Sequence, residues 1–242
     1  MTSNRILTLS SSRTGKSAYL ETAIPLLKDF LGERSLKIAF IPFASADNDY
    51  EEYAATVRSA LKDLHHSIDT VLPANARALI EASDVIMVGG GNTFKLIHDL
   101  YELSLMDLIR QKIQTGSPYI GWSAGSNIAG RGIGTTNDMP VIEPKTFVAL
   151  GFFPFQINPH YINQKPEGFN GETRDQRLEE FCQINPGIPV VCLPEGTALR
   201  YQDGWLTFIG ERAGVLFRKE PDGIIRQEIL PGADLTNLMQ KV

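Results

Sequence analysis

Basic blocks, long apolar runs, cysteines and histidines are all scarce in this chain. Its 242 residues carry a net charge of −5, with acidic and basic residues interspersed and no lysine- or arginine-rich block. A nucleic-acid partner is therefore not expected, although one arginine in a pocket would suffice for a small anionic substrate. No apolar run approaches the length of a membrane span. Met1-Thr2-Ser3-Asn4-Arg5 leads straight into a strand-like segment and lacks the apolar core of a signal peptide. The two cysteines, Cys182 and Cys192, fit no metal knuckle or C-x-x-C motif, and unconnected thiols suit a reducing interior. The expectation is a soluble, cytoplasmic protein without a membrane partner.

Two nucleotide motifs are also missing. Gly15-Lys16-Ser17 has the ending of a phosphate-binding loop, but Ser10 stands where that loop needs its first glycine. Gly89-Gly90-Gly91-Asn92-Thr93 is not the G-x-G-x-x-G of dinucleotide folds.

What is present is a regular alternation. Strand-like runs at 5–10, 36–43, 67–72, 84–88 and 118–122 are separated by amphipathic helical patterns. Pro25 inside the first pattern means that helix is kinked or starts late. Near-continuous apolar strands between helices predict an α/β fold with a doubly wound, mostly parallel sheet flanked by helices. With 43% hydrophobic residues the chain can bury the core of one domain spanning 1–242. Residues 131–172 are loop-rich, and loops that long usually serve a site. A helix over 173–183, a strand over 188–193 in the same sheet, and a β-meander over 197–229 with Asp-Gly turns complete the prediction.

In open α/β sheets ligands gather beyond the carboxyl ends of the strands. Two motifs lie there: the triple glycine at 89–91 and Gly121-Trp122-Ser123-Ala124-Gly125. The second reads as a G-x-S-x-G nucleophile elbow, a serine on a strained strand-to-helix turn with small neighbours. The Ala124 N–H would face a forming oxyanion at the positive end of the new helix. Gly91, at the next helix start, is the best second donor.

A serine nucleophile needs a base, and the base an orienting acid. His65 and His66 read as a helix end and His98 as a mid-helix residue, so His160 is the base by elimination. The acid stays open between Glu195, in the turn after the 188–193 strand, and Asp138, with Glu143, Glu167 and Glu172 behind them. Arg174 and Arg177 begin the 173–183 helix; one could read a substrate carboxylate, or both could make surface salt bridges.

Six motifs then occur in order: Gly89-Gly90-Gly91-Asn92-Thr93-Phe94, Gly121-Trp122-Ser123-Ala124-Gly125, Thr135-Thr136-Asn137-Asp138-Met139-Pro140, Asn158-Pro159-His160, Gly171-Glu172-Thr173-Arg174 and Pro194-Glu195-Gly196. On these the chain resembles the peptidase E family, the S51 serine peptidases that act as α-aspartyl dipeptidases. The resemblance implies a class I glutamine-amidotransferase-like fold and a triad of Ser123, His160 and Glu195. It also implies oxyanion donors at Gly91 and Ala124, and Arg174 as the reader of an N-terminal aspartate side chain. Asp138 matches a motif aspartate and remains the alternative acid. No metal or other cofactor is called for, and the implied partner is a small Asp-X peptide, met by a monomer or small homo-oligomer. The rivals are a cyanophycinase-like hydrolase of an aspartyl polymer and a non-catalytic small-ligand-binding domain of the same fold.

Overall fold

The computed structural model describes residues 4–168 and 170–240. Its first half is five strands with helical crossovers: β1 (Ile6–Leu9), α1 (Ile24–Leu31), β2 (Lys37–Ile41), α2 (Tyr50–Ala60), β3 (Ser67–Thr70), α3 (Ala76–Ala82), β4 (Val85–Val88), α4 (Thr93–Glu102), α5 (Met106–Gln114) and β5 (Tyr119–Trp122). These strands are parallel and lie in the order β3-β2-β4-β5-β1. Every residue of β1, β4 and β5 is buried, as a strand covered by helices on both faces requires. Leu27 and Phe30 of α1 and Val57 of α2 pack on one face. Ile80 of α3, Ile97 of α4 and Ile109 of α5 pack on the other.

Pro25 does not kink α1. It sits in the first turn, where a missing N–H costs nothing, and a short 3-10 segment at Glu21–Ala23 precedes it.

The second half departs from the expected arrangement. After α6 (Ala124–Asn127) come β6 (Gln156–Asn158), α7 (Arg174–Ile184), β7 (Val190–Cys192), β8 (Ala198–Gln202), β9 (Trp205–Ile209), β10 (Gly214–Glu220) and β11 (Gly223–Ile229). The two hairpins turn where the Asp-Gly pairs place them, but they split between sheets. β8 and β9 extend the large sheet antiparallel beside β1, while β10 and β11 join β7 and β6 in a four-stranded sheet ordered β11-β10-β7-β6. The 188–193 strand is therefore not in the sheet of Ser123. An apolar strand is equally at home in any buried sheet, and β8 takes the place beside β1. One buried cluster joins the two sheets, including Ile6 and Tyr119 from the first and Ile157, Val191 and Leu216 from the second.

Strand order sets the stage for a site. β4 and β5 are neighbours, with Val88 opposite Gly121, so the triple glycine and Ser123 leave adjacent strand ends. β6 and β7 are parallel neighbours, with Asn158 opposite Cys192, so the segments carrying His160 and Glu195 also leave side by side. No helix among the described residues is long and apolar enough to cross a membrane.

Candidate active site

Ser123 sits at the helix N-cap of α6 with φ 53° and ψ −114°. Such a backbone costs a non-glycine residue on the order of 1–3 kcal/mol and persists only where the surroundings enforce it. Here they do. Ser126 Oγ donates to both Leu9 O and Gly121 O, at 2.6 and 2.9 Å, and the N–H groups of Ser126 and Asn127 donate to Ser123 O at 2.9 Å. The motif glycine Gly125 is required by close approach, since a Cβ there would lie 2.3 Å from the backbone oxygen of Val88. Ala124 starts the helix, where an N–H has no intrahelical partner.

His160 is the second non-glycine residue at the site with positive φ, at 51°. Its Nε2 lies 3.0 Å from Ser123 Oγ and its Nδ1 3.0 Å from Glu195 Oε1. The imidazole thus bridges the two sheets, meeting the serine of one and the carboxylate that follows β7 in the other. The side chains of His160 and Glu195 are 40% and 47% exposed, so a small solute can reach the cluster without a rearrangement.

The other acid candidates are elsewhere. Asp138 Oδ2 accepts the N–H of Thr93 at 2.7 Å and the hydroxyl of Thr136 at 3.1 Å. It thereby places negative charge at the start of α4, where the helix dipole favours it. The histidine ring is paired with Glu195, not with Asp138. Glu172 pairs with Arg177 at 3.6 Å. The remaining histidines are accounted for: His65 ends a 3-10 turn, His66 Nδ1 accepts the Leu36 N–H at 3.3 Å, and His98 Nδ1 contacts Asp99 Oδ1 at 2.9 Å.

Gly90 faces Ser123, because a Cβ on it would meet Ser123 Cβ at 2.9 Å. Gly91, at φ 135°, leans on the loop after β2, where a Cβ would fall 2.3 Å from Ala44 O. Arg174 starts α7 behind a complete capping box of Thr173 and Gln176. Unlike Arg177, it makes no ion pair among the described residues. Burial, and then the like charge of Arg177, lowers its pKa; Cys192, in the strand leading to Glu195, opposes this. A half-buried guanidinium without a counter-charge is poised for a carboxylate.

Two residues of the site were not foreseen. Ser10 Oγ accepts the His160 N–H at 3.0 Å and donates to Leu193 O at 2.7 Å. Asn137 Nδ2 donates to Pro159 O at 2.8 Å, and Asn137 Oδ1 accepts from Asn158 Nδ2 at 2.7 Å. Ser10 directly follows β1 and so stands at a carboxyl strand end, a position that could have marked it. Among the described residues no group of three or more His, Cys, Asp or Glu side chains gathers as a metal site.

A family model described as peptidase family S51 matches residues 6–209. The chain belongs to peptidase family S51. Peptidase E of a Nostoc species is 46% identical over 240 residues, covering 99% of this chain and 98% of its own. Peptidase E of Haemophilus influenzae is 49% identical over 210 residues, covering 86% and 96%. S51 membership makes the chain a serine-type peptidase. Its fold is shared with two solved structures. A putative peptidase E from Listeria monocytogenes superposes with a TM-score of 0.61 over 90% of this chain and 100% of that one, at 22% identity. A peptidase from an acI-B1 Actinobacterium gives 0.66 over 96% of each, at 16% identity.

Proposed function

We propose that this S51 peptidase is a dipeptidase that hydrolyses Asp-X through an acyl-enzyme, with Ser123 as nucleophile, His160 as base and Glu195 as orienting acid. The observation that carries the reading is the unbroken line from Ser123 Oγ through His160 to Glu195, 3.0 Å at each contact. With Glu195 accepting from Nδ1–H, the ring presents Nε2 as a bare acceptor to the serine hydroxyl. His160 takes the Ser123 proton as Oγ attacks the peptide carbonyl carbon. The carbonyl π electrons move onto oxygen, where the N–H groups of Gly91 and Ala124 meet the new charge. His160 then delivers the proton to the leaving amine, and the C–N bond breaks. Water repeats the sequence on the acyl-enzyme and frees aspartate.

Arg174 supplies selectivity. Its guanidinium would donate two N–H groups to the side-chain carboxylate of an N-terminal aspartate in a forked pair. A neutral Asn-X or Ala-X would leave that cation without a partner in the bound complex, which disfavours both. The names of the relatives, peptidase E throughout, support a peptide substrate. The test of the nucleophile is stoichiometric modification by a serine-directed phosphonofluoridate, located by mass spectrometry. Label on Ser123, absent from Ser123→Ala and slowed in His160→Ala, is expected. Label elsewhere, or none on a folded protein, would contradict the assignment.

A further inference from the structure

Three consecutive glycines make a loop without stiffness of its own. Glycine visits both signs of φ at little cost, so the backbone preferences of Gly90 and Gly91 do not by themselves fix the peptide between them. Its flanks are pinned: the Gly89 N–H donates to Ile41 O at 3.0 Å and the Asn92 N–H to Ala44 O at 2.8 Å. The peptide between them is held by a side chain from α2. Tyr53 Oη donates to Gly90 O at 3.1 Å.

The neighbours of that phenol fix the direction of the bond. Trp122 Nε1 can only donate, and it reaches Tyr53 Oη at 3.2 Å and Tyr19 Oη at 3.1 Å. Tyr19 Oη in turn donates to Tyr53 Oη at 3.1 Å. With donors already on its oxygen, Tyr53 has a single proton to give, and Gly90 O takes it. The ring is clamped as well, edge-on to Phe40 with centroids 5.1 Å apart, and Phe40 stacks on Trp122 at 5.8 Å. Burial raises the pKa of the phenol, so the donated proton stays in place.

A trans peptide points its N–H and C=O to opposite sides, and the described residues include no cis bond. Holding Gly90 O on the phenol turns the Gly91 N–H away from it. At the same peptide, Gly90 lies against Ser123 and Trp122 so closely that a Cβ would approach Ser123 Cβ to 2.9 Å and Trp122 Cδ1 to 3.1 Å. Trp122 precedes the nucleophile, so one hydrogen-bonded cluster contacts both halves of the oxyanion site.

We infer that Tyr53 is a positioning residue for this reaction: its hydroxyl locks the Gly90–Gly91 peptide so that the Gly91 N–H meets the oxygen that becomes negative. The inference rests on the proposed Asp-X hydrolysis and on Gly91 as a donor. Tyr53 touches no reacting atom and acts only through the loop.

The experiment compares wild type, Tyr53→Phe, Tyr19→Phe and Ser123→Ala in Asp-X hydrolysis and in inhibition by the boronic acid analogue of aspartate. That probe forms a tetrahedral anion on a serine. Tyr53→Phe removes one oxygen and keeps the ring, while Tyr19 does not touch Gly90 O. Deleting an oxyanion donor outright costs about 10²–10³ in kcat, so loosening one should cost roughly 10- to 100-fold. The expected result is that loss in kcat for Tyr53→Phe, with KM little changed and boronate affinity falling by the same factor, while Tyr19→Phe, which leaves Trp122 donating to Tyr53 Oη, loses clearly less. Wild-type kcat in Tyr53→Phe, or a loss of kcat without a matching loss of boronate affinity, overturns the role of Tyr53. If Ser123→Ala remains active or wild type turns over no Asp-X, the functional reading falls with it. Activity lost in Ser123→Ala but kept in Tyr53→Phe removes the inference alone.

Discussion

Ser10 Oγ accepts the backbone N–H of His160 at 3.0 Å while donating to Leu193 O at 2.7 Å. The Ser10 N–H donates to Thr197 O at 2.8 Å. One fully buried hydroxyl residue therefore ties the end of β1 to His160 and to the segment bearing Glu195. Replacing it leaves a half-buried N–H without that partner, a cost of up to about 3 kcal/mol, at a residue already held at positive φ. Ser10→Ala should remain folded by circular dichroism yet label Ser123 with a phosphonate about tenfold more slowly, a change of roughly 1.4 kcal/mol in the barrier. An unchanged labelling rate would show that His160 holds its position without Ser10.

The two carboxylates considered for the triad should separate cleanly. Glu195→Gln keeps the shape but not the charge opposite His160 Nδ1, and loss of the corresponding charge in other serine peptidases costs about 10⁴ in kcat. A fall of at least about 10²-fold is expected here. Asp138→Asn should instead lower the unfolding temperature, because its carboxylate holds the Thr93 N–H at the start of α4, and leave turnover per folded molecule within a few-fold of wild type. A reversed pattern, with Asp138 dominating the rate, would refute the pairing seen at His160.

The strand–helix alternation was legible because parallel strands between helices read as unbroken apolar runs, as in residues 85–88. The strained turn at Ser123 was legible because Gly121 and Gly125 flank that serine at fixed spacing. The sheet of the 188–193 strand was not: Val190, Val191 and Cys192 are wholly buried, and burial on both faces looks alike in either sheet. Position alone put Glu195 no better than even, with Asp138 the runner-up, since a turn after a strand marks a glutamate without showing what it faces. The family resemblance favours Glu195, and in space it is Glu195 that meets the ring of His160. Ser10 and Tyr53 escaped notice because each acts through a backbone group of another segment, and side-chain-to-backbone bonds across the fold leave no sequence spacing to read.

Arg174 has no ion-pair partner among the described residues, whereas Arg177 on the same helix holds Glu172 at 3.6 Å. Arg174→Ala should lower kcat/KM for Asp-X by about 10²-fold or more, the penalty for losing a charged pair at a binding site, while the slow hydrolysis of Ala-X changes little. Arg177→Ala should stay within about threefold of wild type, as surface pairs contribute little. Steady-state kinetics on both substrates decide it. Equal losses on Asp-X and Ala-X would take Arg174 out of the recognition of the side chain.

His66 gives a pH dependence of stability. Its burial, and then the charge of neighbouring His65, lowers its pKa from the usual 6.5, and its Nδ1 must stay unprotonated to accept the Leu36 N–H. The unfolded chain therefore takes up a proton at higher pH than the folded one does. The stability contributed by neutral His66 is full above pH 6.5 and lost as pH falls through the lower folded value. Between about pH 8 and about pH 5 the unfolding temperature of wild type should drop more than that of His66→Gln. Parallel curves for the two proteins would assign the acid sensitivity to other groups.

The most direct measurement is hydrolysis of an Asp-X dipeptide, beside Asn-X and Ala-X, by wild type and by Ser123→Ala. Rapid turnover of Asp-X alone, abolished by the substitution, is the expected result and joins the nucleophile to the acidic specificity. Folded wild type that leaves Asp-X intact, or Ser123→Ala that still cleaves it, would contradict the assignment of Ser123, His160, Glu195 and Arg174 to that reaction.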